Sequence, residues 1–201
     1  RHNPQDDLIT DLVQAEESGD TLSESELSSM VALLFVTGHE TVVNLIGNGT
    51  LALLQHPDQL AQLKANPDLI DPAIEELLRY DGPVETSTTR WAREDLELHG
   101  RHIKKGDVVR VVLTSANRDA AVFDHPDTLD LNRTDNPHLA FGRGLHYCLG
   151  APLARLEGHI ALLTLLNRFP NLRLATPLTE LKWHSGVIFR GLESLPLNFN
   201  L

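Results

Sequence analysis

A chain of 201 residues, 41% hydrophobic and 22% charged, has the composition of a soluble globular protein long enough to bury a sizeable core. Its net charge of −11 argues against non-specific nucleic-acid binding, and its single cysteine excludes an intrachain disulfide framework and fits a reducing cytoplasm. The polar, acidic stretch from Arg1 to Asp7 shows no signal-peptide pattern. The longest apolar run, Met30 to Ile46, is interrupted by Thr37-Gly38-His39-Glu40-Thr41, so no membrane span is expected.

Asp6 to Glu17 is expected to form a short amphipathic helix with Leu8, Ile9, Leu12 and Val13 on one face, closed by Ser18-Gly19-Asp20. Ser23 then N-caps a second helix, Glu26 completes a capping box, and Leu22 and Leu27 are placed as its hydrophobic staple. The apolar pattern continues to about Leu54, where His56-Pro57 stops it. Thirty-odd residues make a rod of roughly 45 Å. The stretch from Met30 to Phe35 is apolar on nearly all sides, which predicts a central position for this helix. In its middle, Gly38 costs roughly 1 kcal/mol relative to Ala. Glu40 is a carboxylate in a segment expected to be otherwise buried, and Thr41 can bond the preceding turn. Taken alone, the same residues also suit a solvated kink.

Pro57 to Lys64 predicts a short helix. Asp71 is expected to cap the next one, with Pro72 in first position, and Asp81-Gly82-Pro83 ends it. On that helix Glu76 and Arg79, three apart, share a face as an ion pair. From Val84 the chain turns β-like: Arg90-Trp91, a hairpin through Leu96, Leu98 and Ile103 around His99-Gly100, then a β-branched strand from Val108 to Leu113. Ala116 to Asp119 opens a short helical segment, and Val122 to Leu139 forms a loop-rich meander. A long helix follows from about Ala151 to Phe169, with Leu153, Leu156, Ile160, Leu163 and Leu166 on one face. Strands near Leu172 to Leu174 and Leu195 to Phe199 close the chain. The fold class is mainly α with small β-sheets.

The cysteine lies in Phe141-Gly142-Arg143-Gly144-Leu145-His146-Tyr147-Cys148-Leu149-Gly150. A lone cysteine is commonly a buried structural thiol, but on a turn it can also serve as a nucleophile or a metal ligand. The glycines let the backbone approach something flat and bulky, and amides at the start of the next helix would favour a thiolate. A cysteine hydrolase fits poorly, because His146 is two residues away and no Asn or Asp orienter stands out.

The pattern Phe, Gly, any, Gly, any, His or Arg, any, Cys, any, Gly resembles the haem-binding loop of the cytochrome P450 family. The resemblance implies haem b with Cys148 as the axial iron ligand. It places Phe141, Gly142, Gly150 and Ala154 against the ring, and Arg90 and His146 on its propionates. Gly38, Glu40 and Thr41 resemble the family's oxygen-activating helix. There the glycine leaves room beside the cofactor and the acid–alcohol pair delivers protons. Thr37 and Val42 depart from that pattern, standing where Ala or Gly, and Thr or Ser, are usual. Glu76 and Arg79 match the structural Glu-any-any-Arg motif, with Arg118 a candidate third partner. Val36, Thr37, Val84, Val187 and Ile188 are expected to face substrate.

The implied function is a monooxygenase that hydroxylates or epoxidises a lipophilic polyketide, macrolide, steroid or fatty-acid-like molecule. Dioxygen and a ferredoxin- or flavodoxin-type electron donor would support it in the cytoplasm, without membrane or nucleic acid. Five arginines against two acids between residues 133 and 173 make a candidate docking patch for an acidic donor. The match is to the C-terminal part of a single domain over residues 1–201, with a long central helix and a cysteine loop before a second long helix. The N-terminal helices and substrate lid are absent from it. A fragment, a natural truncation and an N-terminal half on a separate chain all remain open. The alternative is a truncated haem-binding module without turnover.

Overall fold

The computed structural model describes residues 3–14, 16–17 and 20–199. It divides into two compact units, Arg1–Glu40 and Thr41–Leu201. In the first, a short helix at Leu8–Gln14 (α1) is followed by an antiparallel pair, Glu16–Glu17 (β1) with Asp20–Thr21 (β2). The predicted first helix is therefore shorter than Asp6–Glu17, and its Ser18-Gly19 stop lies outside the described residues. A 32-residue helix, Glu24–Gln55 (α2), begins here. Its capping box forms as expected: the Glu26 amide donates to Ser23 Oγ at 3.3 Å, and the Ser23 amide to Glu26 Oε2 at 2.9 Å.

One expectation about α2 is corrected. Met30 to Phe35 is not buried: Leu33 and Phe35 are exposed, and burial runs instead from Asn44 to Leu53. By length and composition alone, α2 is also apolar enough to cross a membrane, a test that core helices pass as well.

In the second unit α2 continues into Pro57–Ala65 (α3), a 3₁₀ turn at Pro67–Leu69, and Ile70–Asp81 (α4). Because the 3₁₀ turn leads directly into α4, Asp71 and Pro72 sit inside its first turn rather than at its cap. Ile70, Ala73, Ile74, Leu77 and Leu78 recur at helical spacing on α4 and form the centre of the core. They cluster with Leu45, Ala52 and Leu53 of α2, Leu129 and Leu131 of the meander, and Leu162 and Leu166 of Ala151–Arg168 (α6, the helix after the cysteine loop). Each fully buried Leu or Ile contributes roughly 1.5–3 kcal/mol. Gly158 makes the helix crossing close, since a Cβ there would lie 3.0 Å from Ile74 Cδ1 and 3.3 Å from Leu45 Cδ2.

Among the described residues there are four two-stranded pairs, the first being β1–β2. Arg90–Trp91 (β3) pairs with Val108–Val109 (β6). Leu96–Leu98 (β4) pairs with Arg101–Ile103 (β5) through His99 and Gly100, both at positive φ (48° and 74°), the signature of a type I′ turn. Arg173–Leu174 (β7) pairs with Leu197–Asn198 (β8). The strand predicted to reach Leu113 stops at Val109, and Leu113–Ala116 is a helical turn (α5) that precedes the expected one at Ala116. On α6, Leu153, Leu156 and Ile160 are exposed. The buried side is Ala151, Gly158, Leu162 and Leu166, so the predicted single apolar face is in fact two.

Candidate functional site

The cysteine loop is folded by its own backbone. Gly142 and Gly144 sit at φ +72° and +79°, a region L side chains rarely adopt. That lets the chain double back so that the Cys148 amide donates to Phe141 O at 2.9 Å and the Gly142 amide to Leu139 O at 2.9 Å. The first amides of α6 go to carbonyls, Ala151 to Cys148 O and Ala154 to Gly150 O. Cys148 is a free, exposed thiol. A Cβ at Gly150 would stand 4.0 Å from its sulfur. Leu145 and Leu149 beside it are almost fully exposed, and Leu153 on the following turn is half exposed. A soft sulfur donor amid apolar side chains with no internal partner fits a flat, apolar, iron-bearing group. Among the described residues no cluster of three or more His, Cys, Asp or Glu could hold a metal by itself. A lone thiolate ligand suits an iron whose other ligands come from a macrocycle.

The other expected site residues are distributed as follows. His146 is exposed in the 3₁₀ turn Gly144–His146, and Ala154 is half-buried on α6. Arg90 is exposed on β3, where its Nη1 donates to Thr88 Oγ1 at 2.5 Å. Val84, Val187 and Ile188 are brought together. Val84 bridges to Phe189, the Glu85 amide donates to Ile188 O at 2.8 Å, and buried Thr86 donates from Oγ1 to Val187 O at 2.6 Å. On α2, Val36 is exposed and Thr37 donates to Leu33 O at 2.7 Å, the usual back-bond of a mid-helix threonine. A Cβ at Gly38 would meet nothing within 4 Å, so that position is open. Glu40 is exposed, which corrects the expectation of a carboxylate in a buried segment, while Thr41 is half-buried.

Glu76 and Arg79 form a buried, two-pronged ion pair at 2.7 and 2.8 Å. The remaining Arg79 N–H groups reach Asn117 O, Pro126 O and Thr128 O, so one side chain ties the end of the Leu113–Ala116 turn and two points of the meander to α4. Arg118 is not the third partner. It donates to Tyr80 O and Asp127 Oδ1, and Arg133 reaches Glu76 Oε2 at 3.1 Å instead. Asn136 and the Asp130 amide add two more bonds to the same carboxylate.

Sequence reasoning missed a second network beside it. Glu75 takes a fork from Arg155 (2.6 and 2.8 Å) and a bond from His138 Nε2 (3.0 Å). Burial pushes the Glu75 carboxyl up, but those hydrogen bonds outweigh it and hold it down at about 2. The bond to Glu75 raises the Arg155 guanidinium further, against the opposing effect of burial. The only local signal was the Glu75-Glu76 doublet, because both partners lie more than sixty positions away. Arg133 and Arg155 are thereby committed to internal pairs, which weakens the expected docking patch.

A free, exposed cysteine thus stands on a glycine-turned loop beside a helical core that buried carboxylate–guanidinium pairs hold together. Residues 1–189 match the family model for cytochrome P450. The chain is 53% identical over 200 residues to the polyketide biosynthesis cytochrome P450 PksS of Bacillus subtilis, covering 100% of this chain and 49% of that protein. A solved structure of PksS superposes with a TM-score of 0.97 at 52% identity, over 100% of this chain and 52% of that one. P450BioI, solved in complex with an acyl carrier protein bearing hexadec-9Z-enoic acid, superposes with a TM-score of 0.91 at 47% identity, over 99% and 50% of the two chains. The chain belongs to the cytochrome P450 family, whose members are haem b-containing oxidoreductases. It spans about half the length of the curated relatives it matches. None of these likenesses supports an N-terminal half on a separate chain.

Proposed function

We propose that the chain is the C-terminal part of a single cytochrome P450 monooxygenase domain, and that Cys148 is its iron ligand. The observation that carries the proposal is the exposed thiol on its glycine-turned loop with an apolar rim. Haem, when bound, supplies dioxygen activation and one-electron chemistry. The protein holds and orients it. Cys148 would supply the sulfur that holds its iron. Phe141, Gly142, Gly150 and Ala154 would hold the ring, and Gly38 would leave room for it. Arg90 and His146 take the propionates, Arg90 through guanidinium N–H groups that its bond to Thr88 does not use. Glu40 and Thr41 are the catalytic pair that moves protons. Val36, Thr37, Val84, Val187 and Ile188 line the substrate side.

The substrate is a lipophilic small molecule of polyketide, macrolide, steroid or fatty-acid type, hydroxylated or epoxidised with electrons from a ferredoxin- or flavodoxin-type donor in the cytoplasm. The names of PksS and of the acyl-carrier-protein complex support that class. One observation favours a second reading, haem binding without turnover: Glu40 and the neighbouring Val36 are open to solvent, and water short-circuits oxygen activation. The test is a carbon-monoxide difference spectrum of the haem-reconstituted, reduced chain. A thiolate-type red-shifted band that Cys148→Ser abolishes is expected. The same band surviving in that variant would refute the ligand assignment.

A further inference from the structure

We infer that Arg155, gripped by Glu75, is a positioning residue that braces the cysteine loop and so fixes the direction of the Cys148 sulfur. This rests on the reading of Cys148 as the iron ligand. The guanidinium of Arg155 does three things at once. It forks both oxygens of Glu75, lies 4.6 Å over the Phe141 ring, and donates from Nη1 to Tyr147 Oη at 3.3 Å. Phe141 opens the loop, and Tyr147 directly precedes Cys148 within it. Phe141 in turn accepts the Cys148 amide, so whatever fixes Phe141 fixes the backbone that carries the sulfur.

His138 closes the fourth side. Its ring lies 6.1 Å from that of Phe141. Its Nδ1 accepts the Ala140 amide at 3.2 Å, so Nε2 is the protonated nitrogen that donates to Glu75. The ring is therefore oriented by the chain just before the loop. Glu75 sits on α4, whose next residue, Glu76, is wholly buried, so the brace is anchored on a helix of the core.

Arg155→Lys keeps the charge but cannot fork a carboxylate and stack on an aromatic ring together. In the haem-free full chain, hydrogen exchange of the Cys148 amide should accelerate about tenfold in Arg155→Lys and in Glu75→Gln, while the amides from Ile74 to Leu78 stay as slow as in wild type. In the haem-loaded protein both variants should lower the ratio of thiolate-type to thiol-type carbonmonoxy band about tenfold. Tyr147→Phe, which removes one bond, should move both readouts the same way by less. Unchanged exchange at Cys148 in both variants overturns the inference. So does accelerated exchange throughout α4 in both, which would make the network general fold support. A wild-type chain that takes up haem but shows no thiolate-type band refutes the ligand assignment instead, and the exchange result still decides the brace.

Discussion

Replacing Arg79 by Met tests whether one buried side chain holds the meander to the core. Arg79 is 1% exposed, and all five of its N–H groups are used: two on Glu76 and one each on Asn117 O, Pro126 O and Thr128 O. Met fills similar volume but leaves the wholly buried Glu76 carboxylate with Arg133, Asn136 and one amide. Removing one partner of a buried pair costs about 3–5 kcal/mol, and each carbonyl left without a donor adds about 1 kcal/mol or more. Water entering the loosened meander recovers part of this, so a loss of about 4–6 kcal/mol is expected. That approaches the whole stability of a typical domain, about 5–15 kcal/mol. Urea titration of the full chain, followed by its helical circular dichroism, reads the loss directly. Arg79→Lys, with three donors and no fork, should lose about half as much. A loss under about 1 kcal/mol for Arg79→Met is what an exposed pair would show, and it would refute the reasoning.

Thr41→Ala should leave haem uptake intact while reduced cofactor is consumed largely into peroxide; an unchanged product yield would remove Thr41 from the proton relay. Gly158→Val drives a branched side chain into Ile74 and Leu45, and thermal unfolding should report a loss of about 1–3 kcal/mol. Glu75 contributes pH-dependent stability. Its folded carboxyl is held down at about 2, so the contribution is full above the ordinary carboxylate range and is lost as pH falls through that range toward 2. The stability gap between wild type and Glu75→Gln should therefore narrow as the pH is lowered to about 3, and a constant gap would show that the charge of Glu75 is not what matters.

Local features were legible in the sequence because their causes are local. The Ser23–Glu26 box needs only a spacing of three, and the Glu76–Arg79 pair likewise. His99-Gly100 announces a two-residue turn by composition. What was not legible depends on partners far along the chain. Arg133 rather than Arg118 reaches Glu76 because the meander folds back 57 positions, and nothing near either arginine tells them apart. The strand after Val108 stops early because Val111 and Leu113 turn their backbone bonds to Ser87 and Glu85. The Leu153, Leu156 and Ile160 stripe reads as core by period alone, yet α4 and α2 pack the other side of α6, where Gly158 permits the approach.

Adjacent acids on one helix point about 100° apart, and here that difference divides the work. Glu76, facing inward, acts on the chain before the cysteine loop. Arg79 takes Asn117 O, Asn117 Oδ1 accepts the Leu139 amide at 2.7 Å, and Leu139 O accepts the amide of Gly142. Glu75, facing α6, acts from the other side through Arg155 on Phe141 and Tyr147. The loop is thus tied at both ends to neighbouring residues of a single buried helix. A lone sulfur ligand has no other protein ligands to fix its direction, so its aim depends on the surrounding contacts. If both ties matter, weakening either should loosen the Cys148 amide, and weakening both should cost less than the sum, because each then restrains a loop already released by the other.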